Sequence, residues 1–283
     1  MTKLAAALSP VAILNTISGS LKVKEFRALS YGPGARERVD IYAPKGRERD
    51  LSAIVFFYGG GWEEGDRAMY RFVGTALASR GSVVAIPDYR VYPEVRFPGF
   101  VEDGARAVRW VRDNVERFGG DPGRIVVAGH SAGAHIAAML AIDGRWLRAE
   151  GMDNRSLCGL VGLSGPYDFL PLHSEKLKVI FGAVDKRQGS QPINFVEAGM
   201  PPALLIAGSG DRVVDPGNTT RLGKRLREAG NTVDFHHYPR VGHAPLIAAF
   251  AWPFHSIAPV LREVTEFVRR VTAEERADEG VPV

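Results

Sequence analysis

Arg124 to Leu140 reads RIVVAGHSAGAHIAAML, and the turn inside this stretch dictates an architecture. Residues 124–129 carry a continuous apolar run, the pattern of a strand buried on both faces. Residues 132–142 carry a helical pattern. Between them Gly129-His130-Ser131-Ala132-Gly133 matches G-x-S-x-G at a strand-to-helix junction, where that motif presents a nucleophilic serine on a sharp, strained turn. The residues two before and two after the serine must then be small, so that strand and helix can approach. Ser164 and Ser209 are also flanked by glycine but lack the full pattern, and read as strand-end turns.

Outward from this junction, short apolar runs alternate with helix-period segments. Strands are expected at 25–31, 38–43, 52–58, 82–88, 124–129, 158–164, 202–208 and 233–238. Helices are expected at 66–80, 98–118, 132–142, 217–229 and 256–272. In the second helix Val101, Ala105, Val108, Val111 and Val115 recur at three- and four-residue steps. The alternation predicts an α/β fold, a mostly parallel sheet of about eight strands with helices on both faces. The turn-rich YGPGARER between the first two strands predicts that the sheet opens antiparallel. Residues 166–200 form a long connection, expected to serve as a small lid or pocket wall. A single domain over 25–272 is expected, with an extension over 1–24 and a charged, frayed tail over 273–283.

The chain has 283 residues, 45% hydrophobic and 24% charged, enough to bury a sizeable core. Its net charge of +4 is spread along the sequence and leaves no nucleic-acid footprint. The one cysteine, Cys158, lies in the apolar run Leu157 to Leu163, which points to a buried reduced thiol. No disulfide framework and no cysteine-based metal site are expected. The N-terminus, MTKLAAALSPVAILNTISGS, admits a secretory leader or a short helix packed on the domain. Pro10 interrupts the apolar stretch and no A-x-A site follows, so the packed helix and a cytoplasmic location are preferred. The leader would make the protein secreted or periplasmic.

A serine hydroxyl needs a base, and the base needs an orienting carboxylate. With a serine on a strand-helix turn, acid and histidine should follow in that order, each just beyond a strand. Asp211 follows PALLIAGSG, and His243 follows VDFHHYPRVG. Asp215 lies farther from its strand end. His236 and His237 fall inside a strand, His135 one helical turn beneath the serine, and His130 is the variable residue of the motif. His173 and His255 have no supporting context. Phe56 to Trp62, FFYGGGW, runs a strand into three glycines, whose gain is backbone access. Gly60 and Gly61, with Gly59 allowing the turn, are the expected N–H donors to a tetrahedral oxyanion, joined by Ala132. A phosphate cradle would need a following Lys-Ser/Thr or the G-x-G-x-x-G spacing, and neither is present.

Through YGGGW, GDRAMY, DYRVYPEVRFP, GGDPGRIVVAGHSAGAH, SGPYDF, GSGDRVV and VGHA, the chain resembles the α/β-hydrolase superfamily over about residues 25–270. More narrowly it resembles the hormone-sensitive-lipase-like carboxylesterases and the related kynurenine formamidases. The resemblance implies a cofactor-free serine hydrolase with Ser131 as nucleophile, His243 as base and Asp211 as its orienter. It also implies an oxyanion hole of Gly60, Gly61 and Ala132. One residue departs from the family: Tyr58 stands where a loop-supporting histidine usually precedes the glycines. Asp88-Tyr89-Arg90 is expected to tie loops together by charge-assisted hydrogen bonds. Gly120-Asp121-Pro122 is expected to be a turn leading into the strand. Trp62 and Tyr167 are candidates to line an acyl or alcohol pocket, or to pack against the lid.

The reading is therefore a carboxylic ester hydrolase for small or medium acyl groups, with an arylformamidase or amide hydrolase as the close alternative. A non-catalytic small-molecule receptor on the same fold, and action at a lipid surface through the apolar N-terminus, are the readings from other classes. The expected partner is a small-molecule ester or amide. No nucleic acid, metal or cofactor is expected, nor membrane contact, and the chain is expected as a monomer or homodimer.

Overall fold

A computed structural model describes residues 14–15, 23–46 and 49–278. Eight strands form one sheet in the order β1-β2-β4-β3-β5-β6-β7-β8. They are β1 (Val23–Ser30), β2 (Arg38–Pro44), β3 (Leu51–Phe57), β4 (Val83–Pro87), β5 (Gly120–His130), β6 (Gly159–Leu163), β7 (Ala203–Gly208) and β8 (Val233–Tyr238). β2 runs antiparallel to both β1 and β4, and every other pairing is parallel. The helices are α1 (Arg71–Ala78), α2 (Gly99–Asn114), α3 (Ala132–Ile142), α4 (Arg145–Ala149), α5 (Glu175–Ile180), α6 (Gly217–Glu228), α7 (His243–Ala248) and α8 (Val260–Asp278).

The central strands read as near-continuous apolar runs because both their faces are covered. Every residue of β4, β6 and β7 is buried. β1 sits at the edge and is mostly exposed. α3 is buried along its whole length, and its alanines let it lie close to the sheet and to α2. On α2, Gly104 faces Ile136 and Leu140 of α3, and a Cβ there would stand 2.8 Å from Ile136. α1 packs against α8.

The strand order reverses between β3 and β5, which pair directly, Phe57 opposite Gly129. In open α/β sheets, ligands bind in the crevice at the carboxyl ends of strands where the order reverses. Here that crevice receives the glycine loop after β3 and Ser131 after β5.

Some expectations change. Gly120-Asp121-Pro122 belongs to β5, because Leu51 of β3 pairs with Gly120 and extends the ladder. α8 continues to Asp278, so the stretch read as a frayed tail begins as helix. Cys158 is buried and its thiol donates to the Gly123 carbonyl. Among the described residues no helix is long and apolar enough to cross a membrane, and no cluster of His, Cys, Asp and Glu is arranged to hold a metal ion. Most of the N-terminal stretch read as a leader or packed helix, 1–13 and 16–22, lies outside the described residues.

Candidate active site

Ser131 sits between β5 and α3 with φ 56° and ψ −124°. A non-glycine residue reaches such a conformation only where its surroundings enforce it. The enforcement is visible in the two flanking glycines. A Cβ on Gly129 would stand 2.3 Å from the Gly133 carbonyl oxygen, and a Cβ on Gly133 would stand 2.1 Å from the Phe57 carbonyl oxygen. Strand, turn and helix approach to backbone contact, and Ser131 projects into the crevice.

Asp211 and His243 come from the loops after β7 and β8. The Nδ1–H of His243 donates to Asp211 Oδ2 at 2.7 Å. The carboxylate accepts only, so the ring carries its proton on Nδ1 and leaves Nε2 able to take one. The Asp211 side chain is fully buried, and Oδ1 accepts from the amides of Val213 and Val214 at 2.9 and 3.0 Å. Burial opposes its charge, yet the Val214 amide, the His243 ring and the Val213 amide together hold its carboxyl below the ordinary carboxylate value. Asp215 is engaged elsewhere: it accepts from Gly217 N and pairs with Arg221 at the start of α6.

Ser131 and His243 line one cavity of about 760 Å³ together with Gly59, Gly60, Gly61, Tyr70 and His130. Gly60 and Gly61 take positive φ, 141° and 61°, and Trp62 follows at 61°. The turn therefore lies at Gly60 to Trp62 and not at Gly59. A Cβ on Gly60 would stand 2.1 Å from the Glu64 carbonyl oxygen, so the loop closes on itself only with glycine there. Gly59 has a different task, since a Cβ there would meet Ser131 Cβ and Tyr70 Oη at 3.0 Å. The N–H groups of Gly60 and Gly61 have no acceptor among the described residues. The Ala132 N–H is at the first turn of α3, where no intrahelical acceptor exists.

Tyr58, in the place of the family's usual histidine, is buried and stacks on Tyr89 with ring centroids 4.6 Å apart. Its hydroxyl accepts from Arg36 at 2.9 Å, and Arg36 also donates to the carbonyls of Gly65 and Tyr89. Tyr58 thus supports the far end of the glycine loop. Below it, Asp88 accepts from Arg67 N and pairs with the Arg67 guanidinium, while Arg90 holds the buried Asp103.

Ser131 also opens onto a second cavity of about 530 Å³, lined by Gly61, Trp62 and Ala132 and by apolar residues of the 166–200 connection such as Phe169, Leu172 and Leu177. Trp62 is one wall. Tyr167 is not: it is fully buried, lines neither cavity, and fills the space left by Gly162 and Gly165. His173, without context in the sequence, lines this second cavity, while four other histidines are turned to structure. His135 Nε2 donates to the Ser190 carbonyl at 2.8 Å, which ties the connection to α3. His236 pairs with Glu263, His237 reaches the Pro216 carbonyl, and His255 reaches that of Phe250.

Two residues that the sequence did not single out, Tyr70 and His130, also line the first cavity. His130, read as the variable position of the motif, is 4% exposed, and its ring centroid lies 4.6 Å from that of His243. Its Nδ1 lies 2.8 Å from Tyr70 Oη, and that oxygen accepts from Gly59 N at 3.2 Å. Burial, and then the neighbouring His243, push the His130 pKa down to about 3. The one signal in the sequence was GDRAMY, which ends on Tyr70, but no spacing connects it to a residue sixty positions away.

A family model described as BD-FAE matches residues 39–226. Esterase LipC of Mycobacterium tuberculosis is 30% identical over 251 residues, 80% of this chain and 62% of its own. Isoprenylcysteine alpha-carbonyl methylesterase ICME of Arabidopsis thaliana is 30% identical over 241 residues, 78% of this chain and 56% of its own. The chain thus spans little more than half the length of these curated relatives. Among solved structures, an inhibited esterase B from Lactobacillus rhamnosis superposes with a TM-score of 0.79 over 98% of both chains at 21% identity, a likeness of fold.

Proposed function

The chain belongs to the BD-FAE family on an α/β-hydrolase fold, and from that membership we propose a serine hydrolase that cleaves carboxylic esters of small to medium acyl groups. The observation that carries this reading is the strained Ser131, which shares a cavity with a histidine already oriented by a buried carboxylate. Ser131 Oγ attacks the ester carbonyl carbon while its proton passes to His243 Nε2. The imidazolium that forms is stabilised by Asp211. Negative charge collects on the carbonyl oxygen, opposite the N–H groups of Gly60, Gly61 and Ala132. Collapse of the tetrahedral intermediate breaks the bond to the alcohol oxygen, which takes the proton back from His243 and leaves the acyl group on Ser131. Water, deprotonated by His243, repeats the sequence and frees the acid.

The two cavities suggest how the substrate lies. His243 must reach the leaving oxygen, so the alcohol belongs in the larger cavity with His243, Glu63 and Glu64. The acyl group then points into the smaller, apolar cavity beyond Ala132, walled by Trp62, Phe169 and Leu177. At about 530 Å³ that space suits a short or medium chain. The test is turnover of a series of p-nitrophenyl esters and of N-formylkynurenine by the native protein and Ser131→Ala. Ester turnover that falls with long acyl chains and vanishes in Ser131→Ala is expected. Turnover of the formyl amide alone would replace the esterase reading with an arylformamidase, and retained activity in Ser131→Ala would overturn both.

A further inference from the structure

Tyr70 Oη has one proton and two neighbours. It accepts from the Gly59 N–H, and the acceptor within reach of its own buried proton is the second neighbour, His130 Nδ1, at 2.8 Å. His130 Nδ1 is therefore an acceptor, and a neutral His130 carries its proton on Nε2. The chain of donors runs one way, from the backbone of the glycine loop through a phenol to an imidazole. Both side chains are at least nine-tenths buried, and the ring at the end of the chain packs against that of His243, the two planes tilted by 41°. Phe56 and Phe72 hold the Tyr70 ring from other sides.

The two ends of this chain are the two parts of the site that must agree most closely. Oxyanion donors and base act on the same tetrahedral centre, and small errors of placement in either carry large kinetic costs. The glycine loop comes from the end of β3 and His243 from the end of β8, far apart in the sheet order. We propose that Tyr70 and His130 are positioning residues, a bridge that fixes the glycine loop and the His243 ring relative to one another. The bridge rests on the esterase reading of Ser131 and His243, and exchanges no proton with the substrate.

Tyr70→Phe removes one oxygen and leaves the ring in its aromatic surroundings. His130→Phe keeps a ring against His243 and removes the acceptor. Each is expected to lower kcat on p-nitrophenyl acetate roughly tenfold, short of the hundredfold or more for deleting an oxyanion donor, with KM changed less than about twofold. Because both break one chain, the double variant should be no slower than the worse single variant. The rate at which a fluorophosphonate labels Ser131 should fall by a similar factor, with labelling still complete at long times. An unchanged kcat in Tyr70→Phe, a loss carried by KM alone, or a double variant that multiplies the two losses would overturn the bridge. These outcomes are read beside Ser131→Ala. If that variant is inactive while Tyr70→Phe is normal, the bridge alone fails; if it stays active, the reading beneath the bridge fails.

Discussion

The backbone at Ser131 occupies a region that costs a non-glycine residue about 1–3 kcal/mol, and the contacts of Gly129 and Gly133 hold it there. The conformation belongs to the position and not to the hydroxyl, so Ser131→Ala should fold as the native protein does and lose nearly all ester turnover. Ser131→Gly should lose turnover equally but relieve the strain. Urea denaturation should place it about 1 kcal/mol above Ser131→Ala, the strain relief outweighing the extra freedom of glycine in the unfolded chain. Equal midpoints for the two variants would mean that the turn is not strained. This residue was legible from sequence because its constraint is local, a serine between two glycines at a change of hydrophobic period. Asp211 and His243 were legible because each follows a strand in the expected order. Tyr70 was not, since its place beside the site comes from contacts to Gly59 and His130 that no local pattern announces.

Where β3, β5 and α3 meet, the packing leaves no room for one methyl group. A Cβ on Gly133 would meet the backbone of Phe57, which cannot rotate away as a side chain would. Gly133→Ala should therefore cost at least about 3 kcal/mol, the upper end for overpacking, and should disturb the glycine loop that follows Phe57. Gly182, between α5 and the turn over 184–190, provides the contrast. Its φ is 73°, with nothing within 4 Å of the Cβ position, so Gly182→Ala should cost only about 1 kcal/mol. Thermal or urea denaturation of the two variants checks the difference, and similar losses would contradict the close contact at Gly133. The same scale shows what the sequence hides. The long helices and central strands declare themselves by period, whereas α4, α5 and α7 are too short for a period to show. α7 begins at His243 itself, with Pro245 in its first turn, in a stretch that carries no helical repeat. The 166–200 connection was recognised by its length, but its ties, such as Phe97 N to the Ile180 carbonyl and Phe169 N to Gln191 Oε1, join parts that sequence does not bring together.

Across the whole molecule, two imidazoles buried inside the fold should govern its response to acid. Burial pushes the pKa of His135 down to about 4, and burial with the adjacent His243 pushes that of His130 to about 3, both from an ordinary value of 6.5. A folded-state pKa below the unfolded one means that the unfolded chain binds protons the native state refuses. The stabilising effect is present above about pH 6.5 and is lost as the pH falls from there, toward 4 for His135 and toward 3 for His130. Asp211 adds little between pH 7 and about pH 4.5, because its lowered carboxyl pKa takes effect around and below its ordinary 3.8. With two protons involved, unfolding free energy should drop by about 3 kcal/mol per pH unit through the middle of the range. Urea midpoints measured from about pH 7 to pH 4.5 test the slope, and His135→Gln tests its origin. The glutamine amide can still donate to the Ser190 carbonyl but cannot titrate, so the slope should fall by about half. A slope untouched by that substitution would show that His135 already protonates in the native state, so that its tie from α3 to the 166–200 connection does not shield it.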